Sequence, residues 1–246
     1  MKSRKKYMKE KYSNYWIGAR DSVYGFMPYD HSLIALIERT AIKHQCHQLL
    51  EVAIGTGKPI ADELSKKEFM ITGVDIAEIL VDECRRLNPL VVCDVGDAEN
   101  LTYPDNHFDF AYCLHSSWLI PDFHKAIAEM VRTVKSKGGI IFDIQNRNNV
   151  QIASIYQQHI YENSNFFGMI YKTVKNIAKF ILQRGTQDWP FIISQTPSDP
   201  IAVFKQLGEL GVMDIEIYSW KDSLLDLGSE ISKFIDHDRI VFVGRI

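Results

Sequence analysis

Three carboxylates stand at the ends of successive short apolar runs: Glu51 in "LLEVAIGTGK", Asp75 in "ITGVDIAE" and Asp97 in "GDAENLTYPDNHFDF". A carboxylate accepts hydrogen bonds at two oxygens, so Asp75 suits both hydroxyls of a ribose in bidentate fashion. Glu51 would repel a pyrophosphate and suits a cationic ligand, or the amino group of one. Asp97 falls within reach of an adenine amino group. For any one acid alone a helix N-cap is the better explanation, but three at successive strand ends point to a ligand. Between the first two, Gly55 and Gly57 let the backbone pass close to that ligand and turn sharply into a helix whose first amides face it. The GxGxxG dinucleotide fingerprint fails, because counting from Gly55 and Gly57 its third glycine would fall on Ile60. The Lys and Ser/Thr of a phosphate-binding P-loop are missing too.

These acids need a scaffold that brings strand ends together, and the pattern supplies one. "QLLEVA", "FMITGVD", "PLVVCDV", "FDFAYCL" and "IIFDIQ" read as five strands. "KPIADELSKK", "AEILVDECRRL" and "FHKAIAEMVRTV" read as intervening helices, the last ending at a "KSKGG" turn, and Pro59 suits a first helical turn. Such alternation implies βαβ units and a parallel sheet covered on both faces, doubly wound by right-handed crossovers. "PIAVFKQLGELG" then predicts a helix, and "VMDIEIYSW" and "RIVFVGRI" two strands that could pair as an antiparallel edge. The expected fold is α/β, a mainly parallel seven-stranded Rossmann-like sheet with an antiparallel last strand.

One domain spans residues 1–246, with an N-terminal helical lid over 1–45 and a cofactor-binding core over 46–147. A helical cap insertion covers 148–190, and 191–246 complete the sheet. The insertion after strand 5 would sit above the carboxyl edge of the sheet, where ligands bind in open α/β folds. It reads equally as a substrate cap or as a packing appendage or homodimer interface.

Composition narrows the partners. The 46% hydrophobic and 24% charged residues are those of an ordinary globular protein. A net charge of -3 gives no reason to expect nucleic acid, and no apolar run reaches the roughly 18 residues of a membrane span. Cys46, Cys84, Cys93 and Cys113 form no CxxC pair, which suggests neither zinc nor a disulfide framework and favours a cytoplasmic setting. The basic start "MKSRKKYMKEKY" lacks the apolar segment of a signal peptide and reads as a solvated helix.

Residues 49–144 resemble a class I S-adenosylmethionine-dependent methyltransferase of the small-molecule type, similar to the type 11 and type 25 domains. The resemblance is carried in order by "LLEVAIGTGK", "ITGVDIAE", "GDAENLTYPDNHFDFAYCLHSSWLIPD" and "AIAEMVRTVKSKGGIIFDI". It implies that the loop of Ala53, Gly55 and Gly57 lies against the methionine part of the cofactor, with Glu51 supporting the loop and the amino end. It further implies that Asp75 binds the ribose, that Gly96, Asp97 and Ala98 hold the adenine, and that Ile76 packs on the adenine face. Cys113 sits where backbone after strand 4 approaches the methionine moiety. The family usually has glycine at position 53. An alanine is tolerable at negative φ and clashes at positive φ, so the expectation here is a negative φ and a working site.

Methyl transfer from a sulfonium is an in-line displacement that needs mainly collinear reactants and a dry site. His115, in "CLHSSW", is the candidate general base, because its ordinary pKa suits proton removal near neutrality; a purely structural histidine is the competing reading. Tyr15, Trp16 and Arg20 belong to an aromatic N-terminal segment suited to a lid, and Trp118 to the acceptor pocket or the packing beneath that lid. No Asn/Asp-Pro-Pro-aromatic motif follows strand 4, no second acidic pair suited to guanidinium methylation appears, and strand 4 ends in no acid that could hold a metal, Asp143 lying within strand 5. The expectation is therefore a small-molecule acceptor, S-adenosylmethionine as methyl donor, methylation at oxygen or nitrogen, and no metal. A nicotinamide-dependent oxidoreductase and a non-catalytic cofactor-binding relative are the alternatives.

Overall fold

The computed structural model describes residues 5, 6, 9, 30–149, 196–220, 224–226 and 237–246. In chain order they form α1 (Asp30–Lys43), β1 (Gln48–Val52), α2 (Ile60–Ser65), β2 (Met70–Asp75), α3 (Glu78–Leu87), β3 (Val92–Val95) and β4 (Phe108–Cys113). A 3₁₀ turn (Ser117–Leu119), α4 (Phe123–Thr133), β5 (Val134–Gln145), α5 (Pro200–Glu209), β6 (Met213–Trp220), β7 (Leu224–Asp226) and β8 (Arg239–Arg245) follow. The sheet runs β3-β2-β1-β4-β5-β8-β6-β7. Its first five strands are parallel, and β8 lies antiparallel between β5 and β6. The expected seven-strand arrangement is therefore present, with the three-residue β7 added as an eighth at the edge.

Alternating side chains sort the core into two layers, as period-2 strands require. One side of the sheet packs α1, α2 and α3 through Leu33, Ile37, Leu64, Val81 and Cys84. The other packs α4 and α5 through Ile127, Met130, Val203 and Leu207. Two ends are set by local chemistry: the Asp122 side chain caps α4 by accepting from the Lys125 amide, and Asp199 caps α5 by accepting from the Ile201 amide ahead of Pro200.

The "KSKGG" segment differs from its expectation. It is the first part of β5, not a turn before it, with Lys137 at φ 73°. The β4–β5 register jumps from Phe108↔Val134 to Phe110↔Gly139, a bulge that absorbs the extra residues. Gly138 fits because a Cβ there would lie 2.2 Å from the Asp109 carbonyl oxygen. Tyr15, Trp16 and Arg20, expected as a lid, and nearly all of the expected 148–190 insertion lie outside the described residues. Among the described residues no helix is long and apolar enough to cross a membrane.

Candidate cofactor and acceptor site

Strand order reverses between β1 and β4, and in open α/β sheets the crevice beyond the carboxyl ends at such a point is where ligands bind. Glu51 pairs in register with Gly73 of β2 and Tyr112 of β4. The Tyr112 hydroxyl donates to Glu51 Oε2 at 2.9 Å, and both residues are buried. The sequence did not single out Tyr112; only the β1–β4 register puts it opposite Glu51. Burial pushes the Glu51 carboxyl up to about 8, against the opposing hydrogen bond from Tyr112.

That shift has a direction in stability. The unfolded carboxyl ionises near 4.3, so through the window up to about 8 the folded state holds a proton that the unfolded state has lost. Stability is fully present below the window and falls as pH rises through it. Glu51→Gln removes the ionisation. The Tm difference between variant and wild type should move in the variant's favour from about pH 5 to about pH 8, whereas a difference independent of pH would mean that Glu51 titrates normally.

The loop after β1 is held from two sides. The Ile54 amide donates to the Val74 carbonyl, and the Gly57 amide donates to the Ile54 carbonyl. The Ile54 side chain folds over Gly73, where a Cβ would lie 2.1 Å from Ile54 Cδ1, so the glycine in "ITGVD" is required by this loop. Gly55 and Gly57 take φ 58° and 73°. Ala53 takes φ 60°, and the expectation of a negative φ there is wrong. The left-handed turn returns the Ile54 amide to β2, and the alanine methyl packs on the core instead of clashing. An L-residue in this conformation costs about 1–2 kcal/mol. Ala53→Gly is therefore expected to be neutral or stabilising in thermal denaturation, whereas at a negative φ it would cost about 0.5–1 kcal/mol.

Asp75 binds the loop directly. Its Oδ2 accepts from the Gly55 amide at 3.0 Å and its Oδ1 from the Ala77 amide at 2.9 Å. Burial raises its pKa, opposed by the amides of Ala77, Gly55 and Ile76. Both carboxylate oxygens thus make local contacts with backbone amides of the loop and of the turn into α3. Half-buried Ile76 follows it. Gly96 lies against Val74, and its amide donates to the Asp75 carbonyl. Asp97 Oδ1 accepts from the Glu99 amide at 3.0 Å, and its Oδ2 receives the Lys5 ammonium at 2.6 Å. Lys5 also reaches Glu99 at 2.8 Å, so this part of the basic N-terminus docks on the site and is not simply solvated. Ala98 packs on the core beside Asp97.

Beyond β4 the chain crosses the same edge. Cys113 is fully buried, which raises its thiol pKa well above the usual value. His115 is left-handed at φ 59°, and its amide donates to Asp143 Oδ1 at 2.9 Å. Asp143 is fully buried, and its Oδ2 has no hydrogen-bond partner among the described residues. Burial raises its pKa, while the charges of His115 and Arg239 oppose the rise. The Ser116 hydroxyl donates to the Ala53 carbonyl, tying this loop to the glycine loop. Trp118 is buried, with the Arg239 guanidinium 4.5 Å from its ring centroid. Among the described residues no three His, Cys, Asp or Glu side chains are grouped to hold a metal ion.

Residues 50–142 match the family model described as a methyltransferase domain. The chain is 29% identical over 97 residues to 27-O-demethylrifamycin SV methyltransferase of Amycolatopsis mediterranei, covering 37% of this chain and 36% of that one. It is 28% identical over 147 residues to the ubiquinone biosynthesis O-methyltransferase of Coxiella burnetii, covering 57% and 60%. The chain thus spans less than two thirds of the length of these curated relatives. Among solved structures, the magnesium protoporphyrin IX methyltransferase of Synechocystis PCC 6803 with bound SAH superposes at a TM-score of 0.53. That pair is 11% identical and covers 88% of this chain and 81% of the other, so it shows the fold alone. With its motifs in register on this sheet, the stretch 50–142 is similar to methyltransferase domains.

Proposed function

We propose that the chain binds S-adenosylmethionine across the carboxyl ends of β1, β2 and β3 and transfers its methyl group to an oxygen or nitrogen of a small-molecule acceptor. The observation that carries this reading is the linkage of Asp75 to the Gly55 amide beside buried Glu51, which joins two strand-end acids through one glycine loop. The residues fit the cofactor. Glu51 offers a buried carboxyl whose charged form a bound ammonium would stabilise against the burial that favours its proton, and Asp75 could accept from ribose hydroxyls. Gly96, Asp97 and Ala98, with Ile76, border the adenine position, and Thr56 in the loop has a buried hydroxyl with no hydrogen-bond partner among the described residues. When bound, S-adenosylmethionine supplies an electrophilic methyl group.

Everything else falls to this chain's own side chains. Ala53, Gly55 and Gly57 hold the backbone close to the methionine end, with Cys113 beside it, and exclude water from it. Orientation of this kind contributes on the order of 7 to 11 kcal/mol of barrier lowering. His115, fixed at the edge of the sheet through Asp143, removes the acceptor proton. Tyr15, Trp16 and Arg20 serve as the lid and Trp118 lines its floor, in a cytoplasmic enzyme that needs no metal. Methyltransferase names among the relatives, including an O-methyltransferase, support the reading.

Titration with S-adenosylmethionine, S-adenosylhomocysteine and NAD tests it. Either sulfur ligand at about 100 times its dissociation constant should stabilise the fold by about 2.7 kcal/mol; a shift with NAD alone would favour the oxidoreductase, and no shift with either sulfur ligand would remove the proposal. Once an acceptor is found, His115→Ala should sharply lower turnover while cofactor affinity stays intact, and near-normal turnover would leave His115 a structural role.

A further inference from the structure

Cys84 on α3 and Cys93 on β3 bring their sulfurs to 2.6 Å, and both side chains are buried. A disulfide needs about 2.05 Å between sulfurs, so a small side-chain movement would close the bond. The two thiols are not equivalent. The hydrogen bond with Cys84 and the charge of Arg85 move Cys93 toward its thiolate, against burial, whereas Cys84 is held as the thiol. Arg85 is fixed in place by donating to the Cys93 carbonyl at 3.0 and 2.7 Å. The other two cysteines move the opposite way: burial pushes Cys46 up to about 11 and raises Cys113 well above the usual value. Cys93 also lies on the edge strand of the sheet, where local opening is least costly.

We propose that Cys84 and Cys93 form a dithiol site that a hydroperoxide oxidises to an intrachain disulfide. The Cys93 thiolate attacks the peroxide, forming an S–O bond and breaking the O–O bond, with two electrons passing from sulfur to the departing oxygen. Cys84 then loses its proton and attacks the Cys93 sulfur; the S–S bond forms, the S–O bond breaks and water leaves. The peroxide is reduced to water and, for an organic peroxide, the alcohol. The site sits directly behind the glycine loop. A Cβ at Gly57 would lie 2.8 Å from Cys84 Sγ, and the Asn88 amide that reaches Cys84 Sγ at 3.6 Å also donates to the Thr56 carbonyl at 2.8 Å. Closing the disulfide pulls Cys84 Sγ off this support, and, on the cofactor reading above, lowers affinity for S-adenosylhomocysteine.

The chemistry is tested on the folded chain without any cofactor. The reduced protein is treated with hydrogen peroxide, denatured, alkylated and mapped by peptide mass. The expected result is loss of alkylation at Cys84 and Cys93 and a linked peptide lighter by two hydrogens, while Cys46 and Cys113 alkylate fully and dithiothreitol restores all four. In Cys84→Ser the remaining Cys93 should form a sulfenic acid that dimedone traps. Alkylation of Cys84 and Cys93 to the same extent as Cys46 and Cys113 in the wild type would overturn the proposal, whether or not the variant folds. S-adenosylhomocysteine affinity of the oxidised and reduced forms then reads the loop coupling separately. A linked peptide with unchanged affinity would keep the site and refute its coupling to the loop.

Discussion

Asp75→Ala is expected to raise the dissociation constant for S-adenosylmethionine by about two orders of magnitude or more. A hydrogen bond to a charged group is worth about 1.5–3 kcal/mol, and the proposed ribose contact has two. Their loss corresponds to about 3–6 kcal/mol, at 1.4 kcal/mol for each tenfold in affinity. The fold should lose less. Asp75 also accepts from the Gly55 and Ala77 amides, so its removal leaves two donors unpaired. That cost is offset because the buried carboxylate is itself disfavoured, as its raised pKa shows. Calorimetric titration and thermal denaturation of the same variant separate the two effects. Near wild-type affinity in a folded Asp75→Ala protein would take Asp75 out of the ribose site. Asp75→Asn keeps the shape and one acceptor oxygen, so it should fall between the two.

Gly57→Val should be the most damaging single change in the loop. At φ 73° a β-branched residue is strained, and the left-handed conformation alone costs an L-residue about 1–2 kcal/mol. The new Cβ would also meet Asn88 Nδ2 and Cys84 Sγ, each at 2.8 Å. Neither can withdraw freely, because Asn88 holds the Thr56 carbonyl and Cys84 is packed beside Cys93. Overpacking of this kind adds about 1–3 kcal/mol. The expected loss in unfolding free energy is therefore about 2–5 kcal/mol, summed from the strain and the overpacking. Gly55→Ala is the control: at φ 58° its Cβ meets no atom of the described residues within 4 Å, so the strain alone is expected. Equal losses in the two variants would mean that the packing behind Gly57 does not matter.

The contrast between these glycines shows where sequence reasoning stops. Strand and helix order was legible because each element carries its own periodicity: "FHKAIAEMVRT" announces α4, and "RIVFVGR" announces β8. The acids at 51 and 75 were legible because their types are out of place at the end of apolar runs. Register and backbone angle were not. Alanine at 53 reports a methyl group, and nothing local reveals that the chain must turn left-handed there to return the Ile54 amide to β2. Gly73 looks like any glycine in a strand until Ile54 is seen lying over it. Tyr112 reads as a core aromatic until β4 is paired with β1 and its hydroxyl meets Glu51. Lys5 pairs with Asp97 and Glu99 across more than ninety residues, a contact that composition reduces to a basic tail. The "KSKGG" run has turn residues, but its bulge inside β5 depends on what Asp109 leaves room for.

In the proposed function Glu51, Asp75 and Asp97 form one site for an adenosyl sulfur ligand. Calorimetric titration of the reduced wild-type chain with S-adenosylhomocysteine, run beside Asp75→Ala, tests it most directly. A saturable one-to-one isotherm is expected for the wild type, weakened by about a hundredfold or more in the variant by the two charged hydrogen bonds lost. No binding heat at any temperature with the wild type, or the same isotherm in both proteins, would contradict it.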